Sequence, residues 1–269
     1  MKPPLNSRAS LLKWTKNILY AYGIRPSKKL SQNFVVDPKI ITDVLNVVGR
    51  ENNVIIEIGA GLGTLTYHLA QYNKYVIAVE IDRRLEKILL DLLPWNTDIV
   101  LGDGLEHIIK LYEGVMVSNL PYHITSPLII EMLRSRARKM VLLVQKEVAL
   151  RLTAKPGSKD YGRLTIITQY IVDVELVSVY SPSCFYPKPD VASALVVLKR
   201  KRVWSREADL IENLTRCLFS EKNKLVLKVL RKCVEHVPRE LEKNLKEKRV
   251  RDLSLNDIIS LVNYVKNTT

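Results

Sequence analysis

The sequence contains no uninterrupted apolar run near the ~20 residues that a membrane-spanning helix requires. Its opening stretch, MKPPLNSRASLLKW, lacks a long apolar core followed by a small-residue cleavage site, so secretion is not expected and a cytoplasmic location is. Cysteine is scarce: Cys184, Cys217 and Cys233 are unclustered. They suit neither a disulfide framework nor a zinc site, and all three are expected to be buried thiols. No metal site is expected. No internal repeat or low-complexity tract is present. Acid is missing from one region altogether, since residues 1–36 hold seven Lys/Arg and no Asp or Glu.

What remains is an ordinary globular composition, 47% hydrophobic and 26% charged over 269 residues. That length suits one large or two modest domains. The net charge is +14, which suggests a polyanionic partner. Nearly all the excess sits at the ends: residues 201–269 hold sixteen basic and ten acidic side chains, while residues 37–200 are almost balanced. A near-neutral body with basic flanks suits a small-molecule site framed by polyanion-binding surfaces.

Residues 7–22 have the pattern of a basic amphipathic helix ending near Gly23. Asp37 and Pro38 predict the start of a second helix, a capping side chain followed by proline in the first turn. Strands are predicted at 54–58, 75–79, 99–101, 115–118, 140–144, 174–179 and 194–198. Helices are predicted at 63–70 and 83–92, with further segments of helical period between most of the strands. Alternation of this kind predicts a mostly parallel sheet covered on both faces. The turn-rich connector between the last two strands predicts an antiparallel edge hairpin. Beyond 203 only helical spacing remains, so a boundary is expected at the basic run 199–202, giving domains 1–202 and 203–269.

The segment Glu57-Ile-Gly-Ala-Gly-Leu-Gly-Thr follows a predicted strand and opens a predicted helix. Gly59, Gly61 and Gly63 allow a tight turn and close approach of a ligand to the backbone. A nicotinamide cofactor, a flavin and S-adenosylmethionine all use such turns. The spacing here is G-x-G-x-G and departs from the dinucleotide fingerprint. Glu57 would repel a pyrophosphate but attract the ammonium of a methionine moiety, which favours S-adenosylmethionine. Glu80, at the end of the next strand, can accept from ribose hydroxyls. Asp103, after the third strand, is placed to accept from an adenine amino group.

After the fourth strand comes Asn119-Leu120-Pro121-Tyr122. Asn and Pro are turn formers, and a plain turn is the simplest reading. A chemical reading explains all four positions. An exocyclic adenine amine is a poor nucleophile because its lone pair is delocalised into the ring. Two acceptors on its hydrogens, the Asn119 side-chain oxygen and the Leu120 carbonyl, would favour a pyramidal nitrogen. Pro121 would aim that carbonyl inward. Tyr122 would offer a stacking surface worth ~1–3 kcal/mol.

Six ordered motifs between about 28 and 200 give the chain a specific resemblance. They are Leu30-Ser-Gln-Asn-Phe-Val35 with the glycine turn, Val79-Glu-Ile-Asp82, Gly102-Asp-Gly104, Asn119-Leu-Pro-Tyr122, Tyr161-Gly-Arg-Leu164 and Phe185-Tyr-Pro-Lys-Pro189. Together they resemble the small-subunit ribosomal RNA adenine N6,N6-dimethyltransferases. The resemblance implies an α/β fold, a Rossmann-like S-adenosylmethionine-dependent methyltransferase sheet with a small all-α RNA-binding carboxyl-terminal domain. It implies that Asn33 and Val35 close over the methionine end of the cofactor. Gly59 and Gly61 would line the turn, Glu80 would meet the ribose, Asp103 the adenine, and Asn119 would lie between cofactor and target amine. Phe185 would face Tyr122 and sandwich the target base, and its neighbours Cys184, Tyr186 and two prolines predict that it lies on a loop. The implied substrate is a pair of adjacent adenosines in a hairpin near the 3′ end of small-subunit RNA, met on a pre-small ribosomal subunit by a monomeric enzyme. Residues 219–228 depart from the basic cluster followed by Thr found in bacterial members, and the chain looks closer to an archaeal one. A DNA adenine methyltransferase, lacking here an evident sequence-reading domain, and a non-catalytic ribosome-assembly factor are the alternatives.

Overall fold

The computed structural model describes residues 2–103, 112–122, 125–234, 237 and 245–268, with side chains to residue 264 at the carboxyl end. Two compact units emerge: Met1–Ala149 with Glu175–Lys199, and Leu150–Val174 with Arg200–Thr269. Among the described residues no helix is long and apolar enough to cross a membrane.

The first unit begins with helix α1 (Arg8–Ala21), capped by the Ser7 hydroxyl accepting from the Ser10 amide. Strand β1 (Phe34–Val35) and helix α2 (Pro38–Val48) follow, with Asp37 capping α2 and Pro38 in its first turn. Then come β2 (Ile55–Ile58), α3 (Thr64–Tyr72), β3 (Val76–Glu80), α4 (Glu86–Leu92) and β4 (Thr97–Leu101). Chain order continues, now crossing into the second unit and back, with β5 (Val115–Asn119), α5 (Thr125–Arg134), β6 (Lys139–Gln145), α6 (Lys146–Leu152), α7 (Arg163–Ile171) and β7 (Val172–Tyr180). Strands β8 (Phe185–Tyr186) and β9 (Ser193–Arg200) complete the β structure.

The seven-stranded sheet has the order β4-β3-β2-β5-β6-β9-β7. Strands β4, β3, β2, β5 and β6 are parallel, and β9 runs antiparallel to β6 from Lys139↔Lys199 to Gln145↔Ser193. This is a Rossmann-like sheet. All four residues of β2 are buried, as expected for a central parallel strand. The strand order reverses between β2 and β5, the place where ligands bind in such sheets, beyond the carboxyl ends of the strands.

Two short strands escape sequence reasoning. Between β7 and β9 the chain leaves the main sheet, and β8 pairs antiparallel with β1, Phe34↔Tyr186 and Val35↔Phe185. The loop expected at Phe185 is therefore a strand. Phe185 is only 3% exposed and belongs to the core with Phe34, Val35 and Leu195. Consecutive strand residues point to opposite sides, so pairing that sends Phe185 inward leaves Tyr186 half-buried beside it.

The second unit is built on α7, α8 (Arg206–Leu218), α9 (Val226–Cys233) and α10 (Leu255–Thr268). This unit takes in the chain from Arg200 onward and residues 150–174 as well, because α7 packs against α8 and α10. Buried Glu212 on α8 accepts from Arg163 at 2.5 Å and Arg216 at 3.1 Å. The cysteine expectation needs correction here. Cys217 and Cys233 form a disulfide with Cα atoms 5.8 Å apart, because the turn between α8 and α9 folds positions 16 residues apart against each other. Cys184 is a free buried thiol, as expected.

Candidate active site

The glycine turn leaves β2 with positive φ at each of its three glycines. At Gly61 φ is +58°, and a Cβ would sit 3.3 Å from the Phe34 ring, so a side chain would press on β1 and fill the space over the turn. The Gly61 amide donates to Glu80 Oε2 at 2.7 Å, and the Asp82 amide donates to Glu80 Oε1 at 2.9 Å. Glu80 is thus fixed at the end of β3, and burial raises its pKa.

Two residues that sequence reasoning did not single out tie the Leu30–Val35 motif to this strand end. Gln32 Nε2 donates to Asp82 Oδ2 at 2.7 Å, and Gln32 Oε1 accepts from the Ser27 amide at 2.8 Å. Arg84 also grips Asp82, through Nε at 2.8 Å and Nη2 at 2.7 Å, and holds its carboxyl below the ordinary range. The only signal in the sequence was that Gln32 and Asp82 each sit inside a motif.

Glu57 projects from β2 into an interior site at 1% exposure, and its Oε2 has no hydrogen-bond partner among the described residues. Burial pushes its pKa up to about 8. A buried carboxyl with an open oxygen is costly unless a ligand cation completes it.

Asn119 ends β5. Its Nδ2 donates to the Asn33 carbonyl at 2.9 Å, and among the described residues Oδ1 has no partner. The Leu120 amide donates to the Leu143 carbonyl at 3.0 Å, fixing the peptide on the β6 side. Thr125 Oγ1 donates to the Pro121 carbonyl at 2.9 Å. The Tyr122 hydroxyl pairs with Ser193 Oγ at 2.6 Å, and burial raises its pKa. The geometry places an open amide oxygen beside a clamped aromatic ring.

Three cavities share these walls. One of about 190 Å³ is lined by Asn33, Gly59, Gly61, Glu80 and Asn119 through Tyr122. A smaller one, about 40 Å³, holds Val35, Glu57, Gly59, Gly61 and Asn119. An outer cleft of about 730 Å³ shares Asn33 and Tyr122 with the first and adds Gln145, Tyr186, Lys28 and Lys188. An elongated ligand with an ammonium at one end and vicinal hydroxyls further along would find Glu57 and Glu80 in turn.

Of the residues anticipated from sequence, Asn33, Val35, Gly59, Gly61, Glu80, Asn119, Leu120, Pro121 and Tyr122 are brought together here. Asp103 is exposed beyond β4 and lines none of the three cavities, while Gly104 of its motif lies outside the described residues. The sandwich expected between Tyr122 and Phe185 is not formed. Phe185 points into the core, and the aromatic that shares the outer cleft with Tyr122 is Tyr186. Among the described residues no cluster of three or more His, Cys, Asp or Glu could hold a metal ion.

The family model "Ribosomal RNA adenine dimethylase" matches residues 24–267. The "Probable ribosomal RNA small subunit methyltransferase A" of Methanothermobacter thermautotrophicus is 34% identical over 264 residues, covering 94% of this chain and 96% of that protein. The "Ribosomal RNA small subunit methyltransferase A" of Anoxybacillus flavithermus is 40% identical over 230 residues, 79% of this chain and 78% of its own length. Among solved structures, a dimethyladenosine transferase from Plasmodium falciparum superposes with TM-score 0.74 at 27% identity, over 87% of this chain and 98% of that one. The 23S rRNA methyltransferase ErmE shares the fold at TM-score 0.66 and 24% identity, over 87% of this chain and 100% of that one. With a family match over most of its length and relatives of this closeness, the chain belongs to the ribosomal RNA adenine dimethylase family.

Proposed function

We propose that this rRNA adenine dimethyltransferase uses S-adenosylmethionine to modify two adjacent adenosines in a hairpin near the 3′ end of small-subunit RNA. The observation that carries the reading is Asn119, which lines both inner cavities, commits its amide nitrogen to the Asn33 carbonyl and, among the described residues, leaves Oδ1 without a partner, next to Tyr122, which lines the outer cleft as well. The names of the relatives support the small subunit as the substrate particle.

The donor-side residues fit the cofactor. Glu57 offers an unpartnered buried carboxylate oxygen to an ammonium, and Glu80, held by two backbone amides, keeps lone pairs for ribose hydroxyls. Asn33 and Val35 cover the methionine end, Gly59 and Gly61 leave room for the chain, and Asp103 beyond β4 is assigned to the adenine. When bound, S-adenosylmethionine supplies an electrophilic methyl group.

The acceptor side does the rest. The target adenosine leaves its stack and enters the outer cleft against Tyr122, whose ring is steadied by Ser193. Tyr186 takes the second aromatic position there. Asn119 Oδ1 and the Leu120 carbonyl accept the two amine hydrogens and aim the nitrogen lone pair toward the donor. Orientation of this kind can supply several of the ~7–11 kcal/mol available from positioning. Asn119 is an amide and takes no proton, so the proton released as the bond forms passes to water. On the second transfer the amine has one hydrogen left and uses one acceptor. The cleft then admits a methyl where the first hydrogen pointed. A short-pulse assay should therefore reveal N6-monomethyladenosine; its absence at early times would contradict two separate turnovers. The basic residues of the helical unit are assigned to RNA contact. The decisive experiment incubates the protein with labelled cofactor and under-modified small subunits, with duplex DNA as a second acceptor, and identifies the labelled nucleoside by mass spectrometry. Label in N6,N6-dimethyladenosine of the RNA is expected; label elsewhere, or in DNA, would overturn the reading.

A further inference from the structure

Helix α1 lies outside the family match, which begins at residue 24, and none of its residues lines the three cavities of the site. It is nevertheless anchored. Leu11, Trp14 and Leu19 are buried in the same core as Phe34, Val35 and Phe185. The outer face is of a different kind. At 3.6 residues per turn, Lys13, Lys16 and Tyr20 fall on one stripe. All three are exposed, Tyr20 at 90%. No acidic residue occurs anywhere in residues 1–36.

The stripe also leads somewhere. The Lys16 ammonium lies 5.3 Å from the centroid of the Tyr186 ring, and Arg8 Nη1 donates to Ser183 Oγ at 3.1 Å. Tyr186 lines the outer cleft, where Lys28 and Lys188 stand against a single acid, Asp190. Cations and a bare aromatic ring therefore continue from the cleft onto the helix. Lysines spaced for phosphates around a free ring are the chemistry of single-stranded nucleic acid, where backbone charges are neutralised and unpaired bases stack. A duplex presents no free base faces to such a ring.

We propose that the outer face of α1 is a docking track for the unpaired RNA flanking the target adenosines, with Lys13 and Lys16 on phosphates and Tyr20 as a stacking platform. This inference rests on reading the outer cleft as the adenosine pocket. The test uses the full chain and a short fluorescent single-stranded RNA carrying two adjacent adenosines, with a blunt duplex of the same composition for comparison. Tyr20→Ala should bind the single strand about five- to 150-fold more weakly and leave duplex binding unchanged. Lys13→Ala should reduce the slope of log affinity against log salt by about 0.7, the contribution of one phosphate on a single strand. Both variants should keep wild-type affinity for S-adenosylmethionine, which excludes a folding defect. Unchanged single-strand affinity in Tyr20→Ala, or an equal loss on the duplex, would overturn the track. If the wild type methylates small subunits while the variants bind RNA normally, only the role of α1 falls. If the wild type methylates no RNA, the pocket reading falls and the track with it.

Discussion

Replacing Glu57 with Gln should separate two consequences of one buried carboxyl. At 1% exposure its pKa stands at about 8, against an ordinary 4.5, so about nine in ten copies are protonated at pH 7. Between those two values the native chain holds a proton that the unfolded chain releases, so this group makes stability fall as pH rises through the window. A rise from 4.5 to about 8, at 1.36 kcal/mol per unit, corresponds to about 5 kcal/mol. Gln cannot ionise. Glu57→Gln should match the wild type near pH 4.5 and exceed it by several kcal/mol above pH 8, measured by denaturant unfolding without cofactor. Ligand binding should show the opposite face of the same chemistry. An ammonium at Oε2 favours the ionised carboxylate, so wild-type binding of S-adenosylmethionine at pH 7 should release close to one proton. Titration calorimetry in buffers of different ionisation heats reads this directly. The variant should bind more weakly and release none. Parallel pH–stability curves for the two proteins would refute the raised pKa of Glu57, and proton-neutral binding by the wild type would refute the placement of the ammonium beside it.

Asn119→Ala should abolish methyl transfer while cofactor binding stays measurable by calorimetry, as the proposed role of its side chain on the acceptor amine requires; methylation at the wild-type rate would remove it from the mechanism. Phe185→Ala should lower stability by about 3–5 kcal/mol, as expected for a buried aromatic, in thermal or denaturant melts. Tyr186→Ala should leave stability nearly unchanged and raise KM for RNA, and the reverse pattern would restore Phe185 to the cleft. Cys217→Ser should cost about 3 kcal/mol, the loop-closure value for a link of this span, and wild-type protein under reducing conditions should melt like the variant.

Much of the site was legible because it is built from short local patterns. Apolar runs ending at glycine, acid or asparagine located β2, β3 and β5, and the residues at those ends are the ones a parallel sheet gathers at its carboxyl edge. Glu57, Glu80 and Asn119 could be named because each sits at a strand or turn whose position follows from hydrophobic period alone. The Gln32–Asp82 tie and the Tyr122–Ser193 pair could not, since their members are 50 and 71 residues apart and meet only when the sheet closes.

Local sequence therefore determined the mostly parallel sheet, the glycine turn and the identity of the groups at the strand ends, because backbone preference and burial act over a few residues. Tertiary structure alone decided three things. It turned Phe185 inward and Tyr186 toward the cleft, because the parity of a two-residue strand is set by its partner β1. It joined Cys217 to Cys233, because a helical turn brings their Cα atoms within bonding reach. It placed residues 150–174 with the helical unit, because the apolar face of α7 finds its partner on α8, a choice that depends on what the rest of the chain leaves uncovered.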